Sequence, residues 1–130
     1  MKLLFLDIDG VLNGTVTTER WNGLIGLDRR LVSMFLEWLS GKDVRIVLSS
    51  TWRLYDDTKE QLAAAGLSWI GQTSDLRAIR GHEIAQFLGE TPDVEAYAIL
   101  DDFADMLPEQ LPFLVQTVLC TGCGDAILPS

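Results

Sequence analysis

The sequence predicts an α/β fold, a three-layer, doubly wound (Rossmann-like) and mostly parallel sheet. Short apolar runs suited to buried strands alternate with segments whose apolar residues recur at helical spacing. Such alternation favours a parallel sheet with right-handed crossovers. Three of the apolar runs end in polar clusters, and ligands bind at the carboxyl ends of strands in sheets of this kind. The same pattern therefore predicts both the fold class and the place of a site.

The first strand is predicted at residues 3–6, and two acids follow it. Its four apolar residues lead directly into Asp7, with Asp9 and Gly10 behind. A continuous apolar run is typical of a strand buried on both faces. Because Asp7 and Asp9 are two residues apart, an extended chain would point both into one crevice, where their repulsion favours a bound cation such as Mg²⁺. A solvated turn is the alternative, since Asp-Gly marks turns in many proteins.

The other elements follow along the chain. Residues 13–27 are polar and Gly-rich and predict a loop or a small hairpin flap. Asp28 is a plausible N-cap for a helix that ends at Gly41, and a later helical pattern is closed by Gly89. The remaining predictions are a helix at 56–65 and strands at 43–50, 67–71, 97–100 and 113–119.

Composition limits the possible functions. The 130 residues, 48% of them hydrophobic and 22% charged, predict a single folded domain over 1–130. No run approaches the roughly 18 apolar residues of a membrane span, and no signal-peptide pattern is present, so a cytoplasmic location is expected. The net charge of −9 argues against strong nonspecific binding to nucleic acid.

The two cysteines, Cys120 and Cys123, form one C-x-x-C in a Gly-rich segment near the end of the chain. One such pair provides half of a tetrahedral zinc site, and His82 is distant in sequence. We therefore expect free thiols in a terminal loop rather than metal or redox chemistry.

Two further strands end in side chains that suit phosphate chemistry. Ser49 and Ser50 end the second strand, and Asp101 and Asp102 follow the strand at 97–100. Parallel strands place their carboxyl ends on one edge, so these clusters are expected to meet Asp7 there. An arginine near the start of the third helix would supply positive charge for a phosphate.

These motifs together resemble a known superfamily. The segments LDIDGVLN, VLSSTWR, RGHEIAQFL and AILDD are similar in order to those of the haloacid dehalogenase-like (HAD) superfamily, whose members are mostly Mg²⁺-dependent phosphohydrolases. The likeness extends from about residue 3 to 119. It is strongest to the compact HAD domain of multi-domain "Swiss Army Knife" RNA-repair proteins and of related small phage and bacterial proteins.

The resemblance implies roles for individual residues. Asp7 would be the nucleophile that forms an aspartyl-phosphate. Asp9 would be the general acid and then the general base, with its backbone carbonyl on the metal. Ser49 would bind the phosphoryl group, with Ser50 as the alternative. Arg80 would balance the phosphate charge, with Arg77 as its competitor. The implied metal ligands are Asp7, Asp9, Asp101 and Asp102, and the implied substrate contacts are Gly10, Ser50 and Arg53.

Many relatives contain an inserted cap domain, and the insertions in this chain are too short to form one. An open site favours a large phosphorylated substrate, such as a polynucleotide end or a protein side chain, or a partner protein that closes the site. The leading hypothesis is a phosphomonoesterase. The alternatives are a phosphate- or metal-binding module without turnover in a larger assembly, a small-molecule or nucleotide phosphatase, and a phosphotransferase that uses the same residues.

Overall fold

The computed structural model describes residues 1–21, 23–118 and 122, and it confirms the predicted fold class. In this described part of the chain, three α-helices flank a parallel sheet. The elements in chain order are β1 (Lys2–Leu6), β2 (Arg20–Trp21), β3 (Leu24–Ile25), α1 (Arg29–Leu39), β4 (Arg45–Leu48), α2 (Asp56–Ala64), β5 (Gly71–Gln72), α3 (Arg80–Glu90), β6 (Ala96–Asp101) and β7 (Leu114–Gln116). Two 3-10 helices, Thr51–Leu54 and Pro108–Phe113, lie after β4 and before β7.

The main sheet has five strands in the order β5-β4-β1-β6-β7, and every neighbouring pair is parallel. The chain extends outward from β1 through β4 to β5, and then returns to the other side of β1 with β6 and β7. The strand order therefore reverses between β1 and β6. In doubly wound sheets, ligands bind at such a switch point, outside the carboxyl ends of the strands.

Alternate residues of β1 face the two sides of the sheet. Leu4 and Leu6 belong to a core that α1 and α2 cover, to which α2 contributes the buried Leu62. Leu3 and Phe5 belong to a second core that α3 covers. Apolar residues therefore fill both faces of β1, as expected for a central strand of a parallel sheet.

Helix boundaries agree with the predicted caps in one case and differ in another. The Asp28 side chain accepts hydrogen bonds from the backbone amides of Arg30 and Leu31 and so begins α1 as predicted. By contrast, α3 continues through Gly89 to Glu90, so the predicted stop at Gly89 is wrong. Nothing lies within 4 Å of the position that a Cβ on Gly89 would occupy, and no positive φ is required there.

The short strands are displaced from their predicted positions. The apolar stretch at 67–71 is mostly a connection, in which buried Leu67 packs into the core, and β5 contains only its last residue and the next. Of the last predicted strand, β7 contains Leu114–Gln116, and it begins after Phe113 because Phe113 ends the preceding 3-10 helix; residue 119 lies outside the described residues. Cys120 and Cys123 lie outside the described residues.

Within residues 13–27, β2 and β3 form an antiparallel hairpin. The structure shows no cap domain among the residues that it describes. Across the same residues, none of the helices has both the length and the apolar character that a membrane crossing requires.

Candidate active site

Strand register brings three of the predicted site residues into one row. Leu6 pairs with Leu48 on one side and with Leu100 on the other, so the next residues along each strand are Asp7, Ser49 and Asp101. Backbone hydrogen bonds continue the pairing into this row, from Asp7 N to Leu100 O (3.0 Å) and from Ser49 N to Leu6 O (3.1 Å). The row lies across the switch point between β1 and β6.

Side-chain alternation turns this row toward α3. Asp7, Ser49 and Asp101 each follow by two residues a member of the core that α3 covers, namely Phe5, Val47 and Ile99. Arg80 is the first residue of α3. Its Nη1 lies 3.0 Å from Asp7 Oδ1 and 2.7 Å from Asp101 Oδ2. One cation therefore contacts two buried carboxylates.

The acids outnumber the cation that faces them. Asp7, Asp101 and Asp102 each offer an oxygen within 4.8 Å of the others. Burial, followed by repulsion from Asp101, raises the pKa of Asp7 to about 9 despite the opposing effect of Arg80. Burial also raises the pKa of Asp101, against the effect of Arg80. A divalent cation would offset this excess negative charge, and a set of carboxylate oxygens suits Mg²⁺.

Gly10 allows Asp102 to approach this cluster. It has a φ of +81°, and a Cβ at this position would collide with the Asp102 carboxylate. Its amide donates to Asn13 Oδ1 (2.9 Å), and its carbonyl accepts from Thr117 Oγ1 (2.5 Å). The amide of Gly10 is thus engaged within the protein, and the residue supplies space rather than a free substrate donor.

The structure distinguishes the two adjacent serines. Within the described chain, the buried Ser49 Oγ has no hydrogen-bond partner, although it stands in the row with Asp7. Ser50 Oγ accepts from Trp52 N (3.2 Å) and caps the first 3-10 helix. Ser49 is therefore the serine whose hydroxyl is available for a ligand.

Arg53 has a role that differs from the predicted substrate contact. Its guanidinium is buried and donates to the carbonyls of Ser49, Ser50, Thr73 and Ser74. Nη2 also lies 3.3 Å from the carboxylate of Glu83 in α3. Since arginine has five N–H donors, these acceptors account for all of them. We therefore correct its assignment from substrate contact to a brace between the end of β4 and α3.

Asp9 lies outside the buried row. It is exposed, and its Oδ1 accepts from Asn13 Nδ2 (2.9 Å), which also donates to the carbonyl of Gly26 (3.1 Å). Asn13 thus fixes the orientation of Asp9 against the base of the hairpin. Sequence reasoning missed this role because it treated residue 13 as the start of the flap, although Asn13 directly follows the first motif.

The structure also separates the two candidate arginines. Arg77 is exposed, with a φ of 53°, and its amide donates to Asp75 Oδ1 (3.1 Å). Asp105, in the loop after β6, accepts from the Arg80 amide (3.4 Å) at the start of α3. Of the two arginines, Arg80 is the one that the fold brings to Asp7.

Comparison with protein families gives a match over most of the chain. The model of the HAD domain in Swiss Army Knife RNA repair proteins matches residues 3–125, a range that includes every predicted site residue. No curated protein and no solved structure gives a significant match. Since the match extends over nearly the whole chain, the protein belongs to the family of HAD domains found in Swiss Army Knife RNA repair proteins.

Proposed function

We propose that this protein is a Mg²⁺-dependent phosphomonoesterase that acts through an aspartyl-phosphate on Asp7. The observation that carries the proposal is the buried row of Asp7, Ser49 and Asp101, closed on one side by Arg80. The row and Arg80 together supply a nucleophile, an unpartnered hydroxyl and a cation. A phosphoryl group needs these three kinds of contact, because positioning and charge provide most of the catalysis in its transfer.

The acidic cluster fits a metal ion. Asp7, Asp101 and Asp102 would hold it, and the family resemblance adds the backbone carbonyl of Asp9. Bound Mg²⁺ would neutralise charge on the transferring phosphoryl group and on the acids around it. The raised pKa of Asp7 is consistent with this role, because without the ion its burial among acids favours the protonated form.

The first half-reaction begins with an oxygen of Asp7 attacking phosphorus. Asp9 donates its proton to the leaving alkoxide, which departs as the alcohol. Asn13 Nδ2 holds Asp9 Oδ1 at 2.9 Å, which leaves the other carboxyl oxygen for the leaving group. In the second half-reaction Asp9 takes a proton from water, which attacks the aspartyl-phosphate and releases inorganic phosphate and the free Asp7 carboxylate.

Ser49 and Arg80 bind the phosphoryl oxygens in this scheme. The Ser49 hydroxyl gains its first hydrogen-bond partner when the phosphoryl group arrives, since no described residue provides one. Arg80 already faces Asp7 and Asp101, so its charge is in position before the substrate binds. Binding groups held in advance reduce the reorganisation that catalysis requires.

A phosphorylated polynucleotide end is the substrate that we propose for this site. Two observations support it: the family description refers to RNA repair, and no cap covers the site within the described residues. The net charge of −9 means that affinity must come from the site itself rather than from general attraction to nucleic acid.

Purified protein assayed with aryl phosphates, nucleotides and phosphorylated oligonucleotides tests the proposal. We expect Mg²⁺-dependent release of phosphate that EDTA abolishes, and at least about a 10³-fold loss in Asp7→Asn. Asp43→Asn is the control, because Asp43 is exposed and precedes β4 at the opposite end of the strand. Unchanged activity in Asp7→Asn, or no release from any substrate, would refute the proposal. Transfer of phosphate to an added alcohol would identify a phosphotransferase instead.

A further inference from the structure

A cavity of about 300 Å³ opens beside Asp9, away from the buried row. Its walls come from the hairpin and from the first 3-10 helix, and they include Trp21, Leu24, Ile25 and Trp52. We call it the flap pocket. Its volume is at the lower end of the roughly 300–1,000 Å³ that small-molecule sites span.

Two indole rings line the flap pocket from different elements. Trp52 is only 8% exposed and belongs to the core under α1, so its ring is held firmly. Trp21 is 38% exposed and lies on β2 of the hairpin. Leu24 on β3 is 72% exposed and extends the apolar surface. Aromatic side chains of this kind bind planar rings by stacking.

Apart from the second carboxyl oxygen of Asp9, the polar side chains that line the flap pocket are already engaged. Asn13 bonds Asp9, Gly10 and the hairpin backbone. Thr58 Oγ1 donates toward the carbonyls of Trp52 (2.5 Å) and Tyr55 (2.9 Å). Among the described lining residues none carries a positive charge. The pocket therefore suits an uncharged planar group that is bound by stacking on its ring faces rather than by hydrogen bonds to its edges.

We propose that the flap pocket binds a planar aromatic ring carried by the leaving alcohol, either a nucleobase or an aryl ring, against Trp21 and Trp52. The inference rests on the proposed function, in which Asp9 protonates the leaving oxygen. Since Asp9 lines the pocket, a group attached to that oxygen enters it. Stacking with no free edge contacts also implies little discrimination among the bases.

Matched substrate pairs test this proposal. Uridine 5′-monophosphate and ribose 5-phosphate both release the primary 5-hydroxyl of a ribose unit, and only the first leaving alcohol carries a base. Benzyl and cyclohexylmethyl phosphate differ in the planarity of the ring. We expect kcat/KM to be about tenfold higher for the ring-bearing member, and to vary less than about threefold among the four common nucleotides. A preference for the ring-bearing substrate in the first pair alone identifies a nucleobase as the bound ring. A preference in the second pair alone identifies an aryl ring. No preference in either pair overturns the proposal.

Variants assign the preference to the flap pocket. Trp21→Ala should lower kcat/KM for the ring-bearing member to about that of the ring-free member, and Trp21→Phe should restore the difference between them. Phe113→Ala is the control, because Phe113 has a similar exposure and lies in the other 3-10 helix, where its ring contacts that of Tyr97 in a tilted arrangement. A preference that persists in Trp21→Ala would overturn the proposal even if the enzyme is active.

A binding measurement separates this inference from the proposed function. If wild-type protein hydrolyses no substrate, the phosphatase proposal fails and the flap pocket is tested by NMR titration with uridine and benzyl alcohol. We expect the indole N–H resonances of Trp21 and Trp52 to shift, with Trp21 assigned by its loss in Trp21→Phe. Indole resonances that do not move with either compound would overturn the flap pocket as well.

Discussion

Arg80 Nη1 lies 3.0 Å from Asp7 Oδ1, and this contact joins the start of α3 to the end of β1. The same nitrogen donates to Asp101 Oδ2 at 2.7 Å. Because both acids are buried, the guanidinium supplies positive charge where water is largely excluded. The contact therefore has consequences for stability as well as for catalysis.

Replacing Arg80 by alanine should weaken both properties. Removing the cation takes away the charged partner of two buried acids, so the free energy of unfolding at neutral pH should fall by up to about 3–5 kcal/mol. Activity should fall at least about 100-fold. Urea denaturation and kcat/KM measure the two effects. Arg77→Ala is the matched control and should change neither, since Arg77 is exposed. A larger loss in Arg77→Ala would instead make Arg77 the phosphate-binding arginine.

The metal-free protein should lose stability as pH rises. The pKa of Asp7 is raised from 3.8 to about 9 in the folded state, so between these values the folded chain holds a proton that the unfolded chain has released. The stabilisation from that proton is complete below about pH 4 and is lost as the pH rises through about 9. Asp7→Asn removes this dependence, so its Tm advantage over wild type should grow from pH 5 to pH 9.

Mg²⁺ provides the control for the pH experiment. Saturating metal should stabilise wild type more than Asp7→Asn, because only wild type retains all three carboxylates. The Tm advantage of the variant should then shrink or reverse. A Tm difference that is independent of both pH and Mg²⁺ would contradict the assigned environment of Asp7.

The central part of the fold could be predicted from the sequence because β1, β4 and β6 are apolar runs buried in the middle of the sheet. Continuous hydrophobicity identifies such strands. The edges of the sheet could not be located in the same way. Leu67 is as apolar as a strand residue, but it packs into the core from a connection, and β5 begins only at Gly71. Local composition does not separate these two uses of an apolar side chain.

The candidate site also has a part that could be predicted from the sequence and a part that could not. Asp7, Ser49 and Asp101 could be predicted to converge, because each ends a strand and parallel strands share an edge. The contacts that hold the residues around this row come from distant parts of the chain. Thr117 reaches the Gly10 carbonyl from 107 residues away, and Glu83 lies opposite Arg53 only in the folded chain. No local sequence pattern predicts such long-range contacts.

The Arg53–Glu83 pair should be important for stability. Burial lowers the pKa of Arg53 while Glu83 opposes this effect, so the carboxylate helps to keep the guanidinium charged. Glu83→Gln should lower the free energy of unfolding by about 3–5 kcal/mol, because it leaves a buried charge without its partner. Urea denaturation at neutral pH measures the change.

Asp56→Asn is the control for this pair. Asp56 lies 3.8 Å from Lys59 in an ion pair on the surface, where its side chain is 97% exposed. Exposed pairs contribute little to stability, so this variant should unfold at the wild-type urea concentration. Equal and small effects of the two substitutions would show that Arg53 does not depend on Glu83.

Gly10→Ala should impair metal binding through Asp102. Both Gly10 and Gly41 have a φ near +80°, so alanine at either position costs about 1–2 kcal/mol in backbone strain. Only at Gly10 does the added Cβ meet another group, the Asp102 carboxylate, whereas nothing lies within 4 Å at Gly41. Gly10→Ala should therefore need a higher Mg²⁺ concentration for half-maximal activity, and Gly41→Ala should not. Identical Mg²⁺ dependence in the two variants would rule out this role for Gly10.

The two adjacent serines should respond to alanine with opposite changes in stability. Ser49→Ala removes a buried hydroxyl that has no partner in the described chain, so the free energy of unfolding without ligand should rise by about 1 kcal/mol or more. Ser50→Ala removes the cap of the 3-10 helix and should lower it by about 0.5–2 kcal/mol. Activity should depend on Ser49 alone, because only Ser49 is assigned to the phosphoryl group. We expect kcat/KM to fall about 10–100-fold in Ser49→Ala and to remain near wild type in Ser50→Ala. Thermal unfolding and steady-state kinetics on the same preparations measure both quantities. If Ser50→Ala caused the larger loss of activity, the phosphoryl contact would belong to Ser50.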